Sequence, residues 1–165
     1  MQNFDNNYYN SSLYADILKN TNFIVPKLHM PYSKDFSLLS KEKKISGKIA
    51  ANRICYQPME GQDADENGDP SELTFQRYKT LSYGGAGVIW IEAVSILPEA
   101  RSNKHQLMIT ERNLDKYKRL AEISKETCFK NNGYEPIIIL QLNHSGRYSK
   151  PDGKPHPIIA MENKY

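Results

Sequence analysis

Apolar residues gather in three short runs along this chain, and each run closes on polar positions. They are Ile54 to Glu60, Ala86 to Ala93 and Pro136 to His144. Runs of this length, rich in Ile and Val and bounded by Gly or Pro, predict strands buried on both faces. One amphipathic stretch long enough for a helix separates each run from the next, so the order is βαβαβ, the signature of a parallel sheet. The strands are predicted over about 53–57, 87–92 and 136–142. In such sheets chemistry collects where strands end, and here the polar residues stand at the C-terminal end of every run.

The punctuation between the runs supports this division. A turn-rich loop from Asp63 to Pro70 ends at Ser71, a good N-cap, and predicts a helix from Glu72 to about Tyr83 with Phe75, Tyr78 and Leu81 on one face. Gly84-Gly85 ends it, one of the two suited to the left-handed C′ position. Thr110 reads as the next N-cap, with a helix from Asn113 to about Lys130 whose buried stripe is Leu114, Tyr117, Ala121, Ser124 and Cys128; Gly133 stops it. Ahead of the first strand, short alternating runs around Gly47 between Pro26 and Ala51 predict a small β-hairpin. Residues 1–27 are largely polar and aperiodic and read as a mobile leader, leaving 28–165 as the folded part.

Composition narrows the function classes. The chain has 165 residues, 39% hydrophobic and 25% charged, which suits a soluble globular domain. A net charge of +3, with Lys41-Glu42-Lys43-Lys44 as the one basic run, gives no nucleic-acid footprint. No stretch approaches the ~20 apolar residues of a membrane span, and the N-terminus has no signal-peptide core. Cys55 and Cys128 lie far apart and outside any metal spacing, so they read as reduced thiols of a cytoplasmic protein, and no metal site is expected.

Three segments carry a resemblance. Asn52-Arg53-Ile54 through Gln57-Pro58-Met59, Gly84-Gly85-Ala86-Gly87 through Glu92-Ala93 with Pro98-Glu99-Ala100-Arg101, and Gln141-Leu142-Asn143-His144-Ser145-Gly146-Arg147 together resemble the old yellow enzyme family. Their order and spacing match over roughly residues 28 to 150. The resemblance implies a TIM (β/α)8 barrel, of which this chain holds the first three strands and an N-terminal hairpin. It also implies FMN as cofactor, NADH or NADPH as reductant, and an electron-poor alkene or enone as substrate.

Carried over position by position, the family's flavin contacts fall on Gln57, Pro58, Met59, Ala93 and Gln141. Backbone at the first strand's end can offer carbonyl, amide and apolar surface together, as a flavin ring needs. The Gln141 carboxamide can donate and accept at once, which suits paired C=O and N–H groups; without the resemblance it reads as a strand-end amide satisfied by backbone. Ala93 is small where a ring edge would approach, and plain packing explains it equally. Glu60 departs from the family, which often has Thr or Cys there. A carboxylate at that position either opposes negative charge on reduced flavin or turns away. Glu92 ends a buried strand and must be paired or protonated, with Arg101 or Arg147 as its expected partner. His144 and Arg147 read as scaffold.

The family's catalytic residues and phosphate-binding loops are expected beyond residue 165. Three parallel strands fall short of the eight a barrel needs and leave an open edge that invites pairing. Three readings follow: a fragment of a longer oxidoreductase, half of a split enzyme completed by another chain or a second copy, or a non-catalytic remnant that binds a partner through that edge.

Overall fold

The computed structural model describes residues 35–159 and Met161, so the leader expected over residues 1–27 lies outside the described residues. The hairpin forms from β1 (Lys43–Ile45) and β2 (Lys48–Ala50), antiparallel and joined at Ser46-Gly47. Both turn residues have positive φ, 44° and 81°, the geometry that matches strand twist in a two-residue hairpin.

The sheet contains β3 (Cys55–Tyr56), β4 (Val88–Ser95) and β5 (Ile137–Asn143), in the order β3-β4-β5 and parallel throughout. Two helices alternate with them, α1 (Glu72–Tyr83) and α2 (Leu114–Asn132). The expected βαβαβ order is therefore the observed one. Ile89, Ile91 and Val94 of β4 pack with Tyr78 of α1 and with Tyr117 and Leu120 of α2, so both helices cover the same face. By the alternation of a strand, Val88 and Trp90 face the other way. β4 is central and buried. Among the described residues β5 has a strand neighbour on one side alone; Ile137 to Leu140 are half-buried and Leu142 is exposed, short of the two-sided burial that the run predicts.

The caps account for the helix boundaries. Ser71 Oγ accepts from the Thr74 amide at 3.3 Å while Thr74 Oγ1 accepts from the Ser71 amide at 3.2 Å, a reciprocal capping box. Gly85, at φ +74°, takes the left-handed position after α1. Thr110 leads into a single 3-10 turn, Glu111–Asn113, where the Asn113 side chain accepts from the Thr110 amide at 2.8 Å before α2 begins. The buried stripe of α2 is Tyr117, Leu120, Ser124 and Cys128. Leu114, expected in that stripe, is 43% exposed, because the face it shares with β5 has no covering element among the described residues.

At the N-terminal end of the sheet one side chain fastens three connections. Asn52 Nδ2 donates to Gly85 O (2.7 Å) and to Tyr134 Oη (2.9 Å), while its Oδ1 accepts from the amides of Gly87 (2.7 Å) and Ile54 (3.0 Å). With that end closed by structure, the C-terminal end is left for function.

Candidate functional site

The central strand carries a β-bulge. Ile91 pairs with Leu140 and Ala93 with Gln141, so Glu92 is an extra residue with no counterpart on β5. Simple alternation would send residue 92 to the face opposite Ile91 and turn Ala93 toward the helices. The extra residue lets the Glu92 carboxylate reach α1 while Ala93 stands in register with Gln141.

The sequence-predicted residues all sit at C-terminal strand ends. Gln57, Pro58 and Met59 form the turn directly after β3, in which the Met59 amide donates to Gln57 O at 2.9 Å. Ala93 is 6% exposed and Gln141 half-buried; the register brings these two together directly, whereas the 57–59 turn stands at the opposite edge of β4. Neither the Gln57 nor the Gln141 side chain makes a hydrogen bond among the described residues, so both carboxamides keep their full donor and acceptor capacity.

Glu92 is fully buried, and its partner is neither Arg101 nor Arg147. Arg77 Nη2 of α1 donates to Oε1 at 2.5 Å, Tyr78 Oη donates to the same oxygen at 3.3 Å, and the Gly61 amide donates to Oε2 at 2.8 Å. Arg77 also grips Asp63 through Nε and Nη2, both at 3.0 Å. Burial pushes the Glu92 carboxyl above its ordinary range, against the pull of Arg77 and the Gly61 amide. Burial also pushes the Tyr78 hydroxyl up to about 12, helped by the Glu92 charge.

The expected cations are engaged elsewhere. Arg101 is buried and donates to the carbonyls of Glu66 (3.0 Å), Gln106 (2.9 Å) and Lys104, folding its own loop around itself. Arg147 stacks on Tyr148 and donates to its hydroxyl at 2.7 Å, and His144 Nδ1 accepts from the Gly146 amide at 3.0 Å.

Glu60 turns toward the β4–α2 loop. Its carboxylate accepts from Ser102 Oγ (3.0 Å), Asn103 Nδ2 (3.2 Å) and Gln106 Nε2 (3.5 Å). Fully buried Gln106 also donates to Ala93 O at 3.0 Å and accepts from the Ser102 amide at 2.7 Å, joining the β3 loop to the end of β4. Sequence reasoning missed Arg77 and Gln106. Arg77 meets Glu92 only through the folding of α1 over the sheet, and no local signal marked either residue.

Chemically, the rim offers free amide groups beside a small residue and an exposed backbone turn. This set fits the hydrogen-bonding edge and flat face of a flavin ring. Cys55 and Cys128 are free, and burial pushes both thiols up, which leaves them poor nucleophiles. Among the described residues no cluster of His, Cys, Asp or Glu could hold a metal ion, and no helix is long and apolar enough to cross a membrane.

No family model matches the chain. It is 34% identical over 113 residues to an NADPH dehydrogenase of Clostridium acetobutylicum, a match that covers 67% of this chain and 31% of that protein. Among solved structures, a 2-naphthoyl-CoA reductase complex aligns with a TM-score of 0.62 at 20% identity, over 71% of this chain and 17% of its own. The old yellow enzyme of Trypanosoma cruzi aligns with a TM-score of 0.58 at 21% identity, over 69% of this chain and 29% of its own. The chain thus spans under a third of the length of these proteins. Its open three-stranded sheet is a stretch of their TIM barrel.

Proposed function

From a chain that belongs to the old yellow enzyme family over its matched stretch, we propose that the complete protein is an FMN-dependent NAD(P)H oxidoreductase that reduces an electron-poor alkene, such as an enone or enoyl thioester. The observation that carries this reading is the rim itself: Gln141, its carboxamide unspent, stands in register with Ala93, and the 57–59 turn occupies the neighbouring strand end. A flavin held there would supply two-electron chemistry, linking oxidation of the nicotinamide to reduction of the alkene, which takes up one hydride and one proton.

The chain's own residues bind and orient. Gln141 offers a donor and an acceptor to the ring edge, and the backbone of Gln57, Pro58 and Met59 offers amide, carbonyl and apolar surface. Ala93 allows close approach. Glu60 faces away toward Ser102 and Asn103, in keeping with a role in loop closure rather than ring contact. The protein is assigned to the cytoplasm, in keeping with its two free thiols.

A flavin fluorescence titration paired with NAD(P)H oxidation tests the proposal, on this chain and on a version extended through the rest of the barrel. The extended version should quench flavin fluorescence and oxidise the nicotinamide, and the 165-residue chain should show no turnover. Failure of the extended version to bind FMN would remove the reading. Robust turnover by the short chain would show that the reacting groups lie within it.

A further inference from the structure

We propose that Glu92 is a positioning residue for the candidate cofactor-contact turn: carried on the β4 bulge, its carboxylate clamps the Gly61 amide and sets where residues 57–60 stand against Ala93 and Gln141. The clamp deepens the flavin reading and rests on it for its ligand.

The turn needs an outside anchor. β3 is two residues long, and the 57–59 segment has one internal hydrogen bond, Met59 to Gln57. Its placement therefore depends on what holds its downstream flank. Glu92 Oε2 takes the Gly61 amide at 2.8 Å, while Oε1 is given to Arg77 and Tyr78, so the two carboxylate oxygens have different tasks. The main chain at Glu92 is held as well, its amide donating to Tyr78 Oη at 2.9 Å.

At Gly61 the main chain lies against the Arg77 side chain. A Cβ there would fall 2.3 Å from Arg77 Nη2 and 2.5 Å from Cζ, so the chain passes flush against the guanidinium. Arg77 holds Asp63, two residues farther on, from the same side. Glu60 reaches the other way, to Ser102 and Asn103. The segment after the turn is thus fastened from both flanks. The bulge that frees the Glu92 carboxylate also keeps Ala93 opposite Gln141, which ties the geometry of all three strand ends to one residue.

Two conservative substitutions separate a clamp from a mere charge partner. Glu92→Asp keeps the charge but shortens the side chain by one methylene; flexible Arg77 can follow it, and the backbone at Gly61 cannot. Arg77→Lys leaves both carboxylate oxygens and a cation in place; Glu92→Gln is no such control, because its NH₂ must face either Arg77 or the Gly61 amide. Amide hydrogen exchange at Gly61, read by NMR on this chain, should speed up about 10-fold or more in Glu92→Asp and stay within about 3-fold of the unsubstituted chain in Arg77→Lys. The reverse ranking, or an unprotected Gly61 in the unsubstituted chain, would overturn the clamp.

If Glu92→Asp does not fold, Arg77→Lys decides, because the carboxylate keeps a cation and Gly61 should stay protected; loss of protection there overturns the proposal. In the extended, FMN-loaded protein the visible circular dichroism of the flavin should change in Glu92→Asp and persist in Arg77→Lys. An extended protein that takes up no FMN would end the flavin reading alone, since exchange at Gly61 judges the clamp without it.

Discussion

Among the described residues two carboxylates are buried, Asp69 and Glu92, and the molecule treats them in opposite ways. Asp69 lies in the β3–α1 loop and collects the start of α2 around it. Arg112 donates through Nη1 (3.1 Å) and Nη2 (2.9 Å), Asn113 Nδ2 at 2.6 Å and Lys116 Nζ at 2.6 Å. Burial would raise its carboxyl, but the hydrogen bonds from Lys116, Asn113 and Arg112 win and bring it down to about 2. Glu92 has one cation, already shared with Asp63, and its carboxyl is pushed up. A carboxylate given two cations and an amide is a staple between loop and helix. A carboxylate left short of charge, with one oxygen committed to a backbone N–H, costs stability and is better understood by what it places.

Asp69→Asn offers the sharpest way to break this contrast. It sets an NH₂ against the donors of Arg112 and Lys116 and empties the staple. Those two side chains are 59% and 49% exposed and can return to water, so the loss at neutral pH should be about 2–4 kcal/mol, below the upper range for broken buried pairs. Chemical denaturation measures it, and an Asp69→Asn chain as stable as the parent would show that the staple is ornamental. A smaller effect is expected from Tyr78→Phe, which leaves the buried Glu92 amide without its acceptor, at about 1–2 kcal/mol. If Tyr78→Phe costs as much as Asp69→Asn, then the Glu92 cluster is itself a main prop of the fold and the contrast fails.

How much of this could be read from the sequence follows the same division. The sheet was legible because Val88 to Ile91 and Ile137 to Leu140 are unbroken apolar runs, and α1 was legible because Ser71 and Gly84-Gly85 are local signals acting on adjacent backbone. The full length of β4 was not legible. The bulge at Glu92 breaks the pattern, and the strand continues past it to Ser95 against Leu142 and Asn143 of β5, with Ser95 also bonded to the loop at Leu107 and Ile109. The partner of Glu92 was hidden for a related reason. Arg77 precedes it by fifteen residues and meets it because α1 folds back over the sheet, a long-range consequence that no local spacing encodes. Gln106 was hidden more deeply, since a loop glutamine becomes a buried bridge only after Arg101 has folded its loop. Gln57, Pro58, Met59, Ala93 and Gln141 were nominated through motif resemblance alone, and the geometry adds that Ala93 and Gln141 are in register.

The subtlest separation of the two carboxylates lies in their opposite pH dependence. Asp69 has a folded value near 2, below the ordinary aspartate value of about 3.9, so the unfolded chain binds more protons between those limits and stability rises with pH there. The penalty of Asp69→Asn should therefore be small near pH 2, grow to about pH 4 and stay level above about pH 5. Glu92 has a folded value above the ordinary glutamate value of about 4.3, so the folded chain binds the extra proton and stability falls as pH rises through that window. Glu92→Gln removes that slope. Relative to the parent, the Gln variant should be at its least stable at acid pH and gain ground as pH rises, by less than about 1 kcal/mol because Arg77 keeps Asp63. Denaturation midpoints of parent and both variants between pH 3 and 7 measure both slopes. If the difference between Glu92→Gln and the parent has the same sign of slope as that of Asp69→Asn, Glu92 is a second staple, and the distinction between a carboxylate that holds the fold and one that places the rim is lost.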